Sequence, residues 1–139
     1  MASSHDESDR YTVPRIGIEA AVQELFNLLP QHFERPQDWW RLAKDREGHP
    51  VGFVLPVLFK EQRFWRDGCP QGTIFYMGVL PEFRARGYAL ELVHEATRLF
   101  MEANCWRVFC DTGTDNAPMM STFRRAGYIE RAPWQRPLA

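Results

Sequence analysis

One segment of the sequence constrains the fold more than any other: an apolar stretch, a short turn and then a long amphipathic stretch. Residues 73–80 predict a buried strand, which Pro81 ends. Residues 87–103 predict a long helix with one apolar face and a mainly charged opposite face. The apolar face consists of Leu92, Val93, Ala96, Leu99, Phe100 and Ala103. A strand that leads into such a helix is typical of a mixed α/β layer architecture.

The start of this helix is suited to binding a phosphate group. The first N–H groups of a helix have no partner within it, and the helix dipole places partial positive charge there. Gly87 has no Cβ, so an anion can approach the backbone closely, and Ala89 is the next smallest choice. Arg84 and Arg86 add charged donors at the same place. The segment therefore predicts a local site for a pyrophosphate.

Composition and charge exclude several other classes of protein. The 17 basic and 18 acidic residues nearly balance, which argues against a nucleic acid bound by bulk charge. No apolar run approaches the roughly 20 residues that a membrane helix needs. The polar start of the chain is not a secretory signal. Cys69, Cys105 and Cys110 lack metal-binding spacing, so we expect reduced thiols, no metal and a cytoplasmic location.

The chain is predicted to form one domain over residues 11–139, preceded by a flexible tail over residues 1–10. Its other strands are predicted from short apolar stretches at residues 40–44, 51–59, 106–111 and 128–131 and around Trp134. Pro56 implies that its strand lies at an edge or contains a bulge.

Two further helices are predicted on either side of these strands. One covers residues 17–29, where Pro30 ends it. A short last helix begins near Asn116 and ends at Gly127 in a Schellman motif, which would bring Phe123 and Tyr128 into contact. No internal repeat, low-complexity tract or linker interrupts this order of elements.

Two segments resemble signatures of the GCN5-related N-acetyltransferase (GNAT) superfamily. Arg84-Ala-Arg-Gly87-Tyr-Ala89 is similar to the family's Arg/Gln-x-x-Gly-x-Gly/Ala and lies between a predicted strand and helix. Residues 116–128 resemble the family's Asn-x-x-Ala/Met…Tyr/Phe-x-Lys/Arg-x-Gly-Phe/Tyr segment at matching spacing. The resemblance implies a GNAT-like α/β (α+β) fold, with a central mixed, mostly antiparallel twisted sheet that splays into a V and is flanked by helices on both faces. Residues 11–13 would then be its first strand.

The resemblance also implies an activity. The protein would be an acyltransferase that takes acetyl-CoA as co-substrate and needs no metal. It would transfer the acetyl group to a primary amine of a small molecule, an amino acid or a peptide, by direct attack of the amine on the thioester. The alternative is a catalytically weak or silent acyl-CoA-binding module, either a sensor or one domain of a larger acyltransferase. Neither interpretation involves a nucleic acid or a membrane, and a homodimer stays open.

The resemblance places the coenzyme along one strand, the turn that follows it and the last helix. The cofactor-binding residues that it implies are Met77, Val79, Arg84, Ala85, Arg86, Gly87, Tyr88, Ala89, Asn116 and Phe123. The main chain of Met77 and Val79 would pair with the pantetheine arm. The N–H near Val79 or Leu80 would polarise the thioester carbonyl. Asn116 would either bind the arm or cap its helix.

The catalytic groups are less well defined, because Phe123 stands where many family members place a tyrosine that protonates the leaving thiolate. A phenyl ring has no proton to give. Tyr76 on the central strand and Asp111 at the end of the next strand could face the cleft where the two strands diverge. Asp111 fits equally well as a cap for the loop after it. Arg124 and Arg125 would either reach the 3′-phosphate of the coenzyme or stay solvated.

Overall fold

A computed structural model describes residue 1, residues 7–113 and residues 115–131, without the side chains of residues 7, 8 and 10–12. The helices of these residues are α1 (Glu7–Ile16), α2 (Ile18–His32), α3 (Tyr88–Glu102) and α4 (Ala117–Arg125). The strands are β1 (Phe33–Glu34), β2 (Arg41–Lys44), β3 (Pro50–Phe59), β4 (Gln71–Val79) and β5 (Arg107–Val108). Short 3₁₀ turns lie at Gln62–Phe64 and Pro81–Phe83. Within the described ranges, no helix has both the length and the apolar character that a bilayer span requires.

β3 and β4 form the centre of one sheet. They pair antiparallel, from Gly52 opposite Val79 to Leu58 opposite Gly72. β1 and β2 pair antiparallel with the second edge of β3, which is the edge that faces away from β4. β5 pairs parallel with β4. This arrangement confirms the mixed, mostly antiparallel sheet that the resemblance implies.

The ladder between β3 and β4 contains a bulge. Leu55 faces Tyr76 and Pro56 faces Ile74, so that Phe75 has no partner residue on β3. Pro56 carries no N–H and cannot donate to the ladder at this point. The bulge predicted from Pro56 is therefore confirmed, although its extra residue lies on the neighbouring strand.

β4 has its parallel neighbour only at its start. β5 pairs with Gln71 and Gly72, and the N–H of Phe109 donates to the carbonyl of Gly72 at 2.9 Å. The second edge of β4 is the one that faces away from β3. Beyond Gly72 no described strand pairs with this edge, although β4 continues to Val79. The two strands thus diverge in the V-shaped splay that the resemblance implies.

α3 covers the face of the sheet that carries Val54, and this contact forms the core. All the residues predicted to form its apolar face are buried, apart from Ala103, which lies beyond the end of the helix. The predicted apolar face is therefore confirmed. Phe100 is 0% exposed and lies on Gly72, where an added Cβ would come within 2.4 Å of the ring. Gly72 thus allows the helix to approach the sheet closely.

α1 contacts the opposite face of the sheet. Side chains alternate between the two faces along a strand, so Phe53 and Tyr76 point away from α3. The hydroxyl of Tyr76 donates a hydrogen bond to the carboxylate of Asp9 in α1. Helices therefore flank both faces, as predicted from the resemblance.

The position of α1 corrects two expectations for the start of the chain. Residues 11–13 are helical, so the strand predicted there is wrong. The helix also takes in residues 7–10, the last part of the segment predicted as a flexible tail, because the contact of Asp9 anchors this end of α1 on the sheet. The tail prediction otherwise falls on residue 1 and on residues 2–6, which lie outside the described residues.

Pro30 does not end its helix, which runs on to His32. A proline removes one backbone hydrogen bond and opposes the helix locally, but it does not forbid a further turn. The N–H of Phe33 donates to the carbonyl of Leu29 and closes that turn, and Leu29 is buried.

The late strands are shorter than predicted. Of residues 106–111, only Arg107–Val108 form a strand, because the chain then diverges from β4. Residues 128–131 form no strand, since no described strand pairs with them. The predicted piece around Trp134 lies outside the described residues.

Candidate active site

A pocket of about 640 Å³ opens where β4 diverges from β5 and α3 begins. This volume is in the usual range for a small-ligand site. Most of the residues that the sequence predicts for coenzyme binding or catalysis line it, namely Tyr76, Met77, Val79, Arg84, Ala85, Gly87, Tyr88, Ala89 and Asn116. Arg86, Asp111 and Phe123 are not part of its lining.

The N-terminus of α3 forms one end of the pocket. Gly87 is the N-cap residue with φ 87°, and no side chain caps the helix there. Nothing lies within 4 Å of the position that a Cβ on Gly87 would take. The N–H groups of the first turn therefore face an open space, with the partial positive charge that a helix N-terminus carries. This geometry suits a phosphate group.

Two arginines bring positive charge to the pocket lining. Arg84 donates from Nε to the carbonyl of Val79 at 3.0 Å, which ties the turn to the end of β4. Arg125 reaches the pocket from α4, whereas Arg124 bonds to Glu130 at 2.8 Å. The guanidinium of Arg86 lies over the ring of Phe83, 5.6 Å from its centroid, and stays outside the lining.

The second edge of β4 presents main-chain groups to the pocket. The N–H of Leu80 donates to the carbonyl of Val51 on β3 at 2.9 Å. Because the hydrogen-bonding groups of a strand alternate in direction, those of Met77 and Val79 point to the second edge. The carbonyl of Val79 accepts from Arg84. Of the two N–H groups predicted to polarise a thioester, only that of Val79 is directed to the pocket, because that of Leu80 is bonded within the sheet.

α4 forms the opposite wall, which the sequence predicted only in part. The side chain of Asn116 accepts from the N–H of Met119 at 3.4 Å, so Asn116 caps the helix and also lines the pocket. Four other residues of α4 in the lining were missed, namely Pro118, Met119, Ser121 and Thr122, whereas Arg125 was one of the two arginines considered for the 3′-phosphate. Pro118, Ser121, Thr122 and Arg125 have i, i+3, i+4, i+7 spacing, which marks one face of the helix and could have been recognised.

Phe123 lies on another face of α4. Its carbonyl accepts from the N–H of Tyr128 at 3.0 Å, and Gly127 has φ 89°, which confirms the predicted Schellman ending. The ring centroids of Phe123 and Tyr128 are 5.3 Å apart. The hydroxyl of Tyr128 lies 2.7 Å from Oγ1 of Thr97. Phe123 is thus a packing residue of the helix ending, and the structure does not bring it to the pocket with the other predicted coenzyme ligands.

We expect Phe123→Tyr to leave turnover unchanged, because a hydroxyl at this position would enter the contact with Tyr128 and not the pocket. The free energy of unfolding should fall by about 1–3 kcal/mol if that hydroxyl has no partner. Steady-state kinetics and urea denaturation measure both effects. Tyr128→Phe is the matched control, since it removes the hydroxyl on the other ring and should cost about 0.5–1.5 kcal/mol. A tenfold gain in turnover for Phe123→Tyr would contradict this placement.

The two residues predicted to be catalytic are separated by the structure. Asp111 is exposed and outside the pocket lining, because the chain has left the sheet by this point. Tyr76 lines the pocket, and its ring stacks on Phe53 with centroids 5.8 Å apart and an angle of 7° between the planes. Its hydroxyl donates to Asp9, which is 6% exposed. Nothing in the sequence singles out Asp9, because only the tertiary contact brings α1 to β4.

Cys110 lies beside the point where β4 and β5 diverge. Burial raises the pKa of its thiol to about 11, although hydrogen bonds from the Ile74 N–H and the Thr73 hydroxyl oppose this change. The thiolate is the nucleophilic form of cysteine, and it is scarce at neutral pH when the pKa is so high. Cys110 is therefore a structural residue.

Several solved structures share this fold. A Pyrococcus furiosus protein assigned as an acetyltransferase is 20% identical over 94% of this chain and 87% of its own, with a TM-score of 0.67. The aminoglycoside acetyltransferase AAC(6')-Iy, in complex with the bisubstrate analogue CoA-S-monomethyl-acetylneamine, is 22% identical over 91% and 84%, with a TM-score of 0.59. The aminoglycoside 6'-N-acetyltransferase AAC(6')-Ih of Acinetobacter baumannii is 19% identical over 90% and 84%, with a TM-score of 0.57. At these identities the similarities establish the fold.

The family is established by the sequence itself. Residues 6–128 match the model of the acetyltransferase (GNAT) family. This range contains both signature segments and all the pocket residues named above, so the family predicted from the two segments is confirmed. The chain belongs to the acetyltransferase (GNAT) family and is an acyltransferase whose co-substrate is acetyl-CoA.

Proposed function

We propose that this protein transfers the acetyl group of acetyl-CoA to a primary amine of a small molecule, an amino acid or a peptide. The observation that carries the proposal is a pocket that joins the N-terminus of α3, an edge of β4 with which no described strand pairs, and an aromatic wall. The helix end suits the pyrophosphate and the strand edge suits the pantetheine arm. The aromatic wall consists of Tyr76 and Phe53, which would contact the acceptor.

In this proposal the coenzyme is held mainly by the backbone. The N–H groups at the start of α3 and the side chains of Arg84 and Arg125 bind its phosphates. Main-chain groups of Met77 and Val79 pair with the pantetheine arm, and Asn116 lines the same channel. The N–H of Val79 stabilises the negative charge that develops on the thioester oxygen, a contribution that is worth about 10²–10³ in rate for one such donor.

The amine attacks the thioester carbon directly, and no acyl group passes through a side chain. The described pocket lining contains no cysteine, and the thiol of Cys110 lies outside it. Phe123 cannot protonate the departing thiolate. A thiol with a pKa near that of cysteine, about 8.5, can leave without a proton at a modest cost in rate.

The alternative, a catalytically weak or silent acyl-CoA-binding module, is favoured by one observation. Phe123 stands at the position of the tyrosine that serves as general acid in many relatives, and its ring is engaged by Tyr128. Among the residues of α4, all of which the structure describes, Arg125 is the one ionisable side chain that lines the pocket. Turnover of acetyl-CoA separates the two interpretations, because a silent module binds the coenzyme without releasing its thiol.

The test is a thiol-release assay with acetyl-CoA over a panel of primary amines. The panel should hold amino acids, short peptides, polyamines and, because two structural relatives are named as aminoglycoside acetyltransferases, an aminoglycoside. We expect release of free coenzyme A that depends on at least one amine, with the acetylated amine identified by mass spectrometry. Tight binding of acetyl-CoA with no amine-dependent release over the whole panel would favour the silent module.

We also infer a cytoplasmic location, which is supported by the three cysteines as free thiols. Cell fractionation tests this inference. Sedimentation of the purified chain would determine whether it forms the homodimer that the sequence leaves open.

A further inference from the structure

The wall that Phe53 and Tyr76 form is a flat aromatic surface on one side of the pocket. The two rings stack with 5.8 Å between their centroids and 7° between their planes. Phe53 pairs with Gly78 across the ladder of β3 and β4, so Tyr76 is its diagonal neighbour on the same face of the sheet. Both aromatic residues line the pocket and are only partly buried. The paired strands thus hold both rings in fixed positions beside the pocket.

Gly78 allows the Phe53 ring to lie close to the main chain of β4. A Cβ at Gly78 would come within 3.2 Å of Cε1 of that ring, which is tighter than an ordinary van der Waals contact. Gly78 itself lines the pocket and lies between Met77 and Val79, whose main chain we propose to hold the pantetheine arm and the thioester. Because glycine has no Cβ, the ring can lie next to this segment. A group that packs on Phe53 is therefore near the proposed position of the thioester.

The described lining of the pocket offers no carboxylate to an acceptor. It contains no aspartate or glutamate, and its charged side chains, Arg84 and Arg125, are both cationic. Asp9 accepts a hydrogen bond from Tyr76 but is 6% exposed and is not part of the lining. A second ammonium group on the acceptor would lose water without gaining a described carboxylate partner, and it would be repelled by the two guanidinium groups. This lining disfavours polycationic acceptors.

We propose that the acceptor is a primary amine on a short linker from an aromatic ring, such as an arylalkylamine, and that Phe53 selects it. This inference rests on the proposed function and names its substrate class. The ring of the acceptor packs on Phe53 in an offset or edge-to-face arrangement, which adds to the effect of burying its apolar area. The short linker then brings the amine to the thioester beside Val79.

The test measures kcat/KM of the wild type for amines that differ in one feature. Phenylethylamine should exceed ethylamine by more than about 100-fold, because a single methylene group in an apolar site is already worth about 10–200-fold. Hexanediamine should be poorer than hexylamine by at least about tenfold, because its second ammonium group has no counter-charge in the described lining.

Phe53→Leu separates packing on an aromatic face from general apolar burial. Its readout is the ratio of kcat/KM for phenylethylamine to that for cyclohexylethylamine, which has a similar shape but no aromatic ring. The ratio should fall by about 2- to 10-fold, the usual contribution of an aromatic pair beyond its area. A merely structural role of Phe53 would lower both activities and leave the ratio unchanged. Gly78→Ala should lower the same ratio, because its Cβ displaces the Phe53 ring.

Phe109→Leu is the matched control, because Phe109 is 39% exposed and lies outside the described lining, so the ratio should not change. A wild type that acetylates polyamines better than phenylethylamine would overturn the inference and leave the proposed function in place. An unchanged ratio in folded Phe53→Leu would do the same, and Gly78→Ala provides this comparison if Phe53→Leu does not fold. A wild type that acetylates no amine would refute the proposed function and the inference with it.

Discussion

Gly87→Glu is expected to abolish the binding of acetyl-CoA while the protein remains folded. A Cβ at this position meets no atom within 4 Å and points into open space at the N-terminus of α3. A glutamate there would place a carboxylate where we propose that the phosphates bind, and like charges in such contact cost several kcal/mol. This corresponds to a loss of affinity of more than about 100-fold. Isothermal titration calorimetry with acetyl-CoA measures it.

The chain offers a close control for this variant. Gly48 has the same φ of 87° and equally open space at its Cβ position, but it lies in the turn between β2 and β3. Gly48→Glu therefore carries a similar backbone strain, about 1–2 kcal/mol, and a similar added charge away from the pocket. Its affinity for acetyl-CoA should equal that of the wild type. A folded Gly87→Glu protein with unchanged affinity would disprove the phosphate site at the start of α3.

Phe100→Ala is expected to lower the free energy of unfolding by about 3–5 kcal/mol. Phe100 is fully buried, packs edge-on against Trp39 at 5.5 Å between centroids, and covers Gly72. Removing the ring leaves a cavity between α3 and the sheet. Since domains are commonly stable by only about 5–15 kcal/mol, the loss should be large in urea denaturation. Phe109→Ala is the control, because Phe109 is 39% exposed and its loss should be far smaller.

The contact with Gly72 allows a sharper form of this test. Gly72→Ala alone should destabilise the protein by about 1–3 kcal/mol, because its Cβ would overlap the ring of Phe100. In the Phe100→Ala background the same change should cost much less, since the ring is gone. The two effects should therefore not add, as is usual for residues in contact. Strict additivity would show that α3 does not pack on β4 in this way.

The helices were the most predictable part of the fold, because their signals are local. The apolar stripe of α3 and the Schellman ending of α4 each depend on residues within one or two turns, and both were confirmed. α1 was missed, since residues 11–13 were predicted to be a strand and residues 1–10 a tail. It contains Pro14 and owes its place to a contact between Asp9 and Tyr76, which are distant in sequence. Such contacts leave no periodic pattern.

The proposed phosphate site was predicted from the sequence by itself, because a helix N-terminus, a glycine without a Cβ and adjacent arginines act through the local backbone. The same local chemistry determined the bulge at Pro56. Only the tertiary structure decided which strand edge opens and which face of α4 turns to the pocket. It also brought a buried carboxylate behind Tyr76. These features depend on how distant elements pack, and packing is determined by the shape and burial of the whole core and not by any one segment.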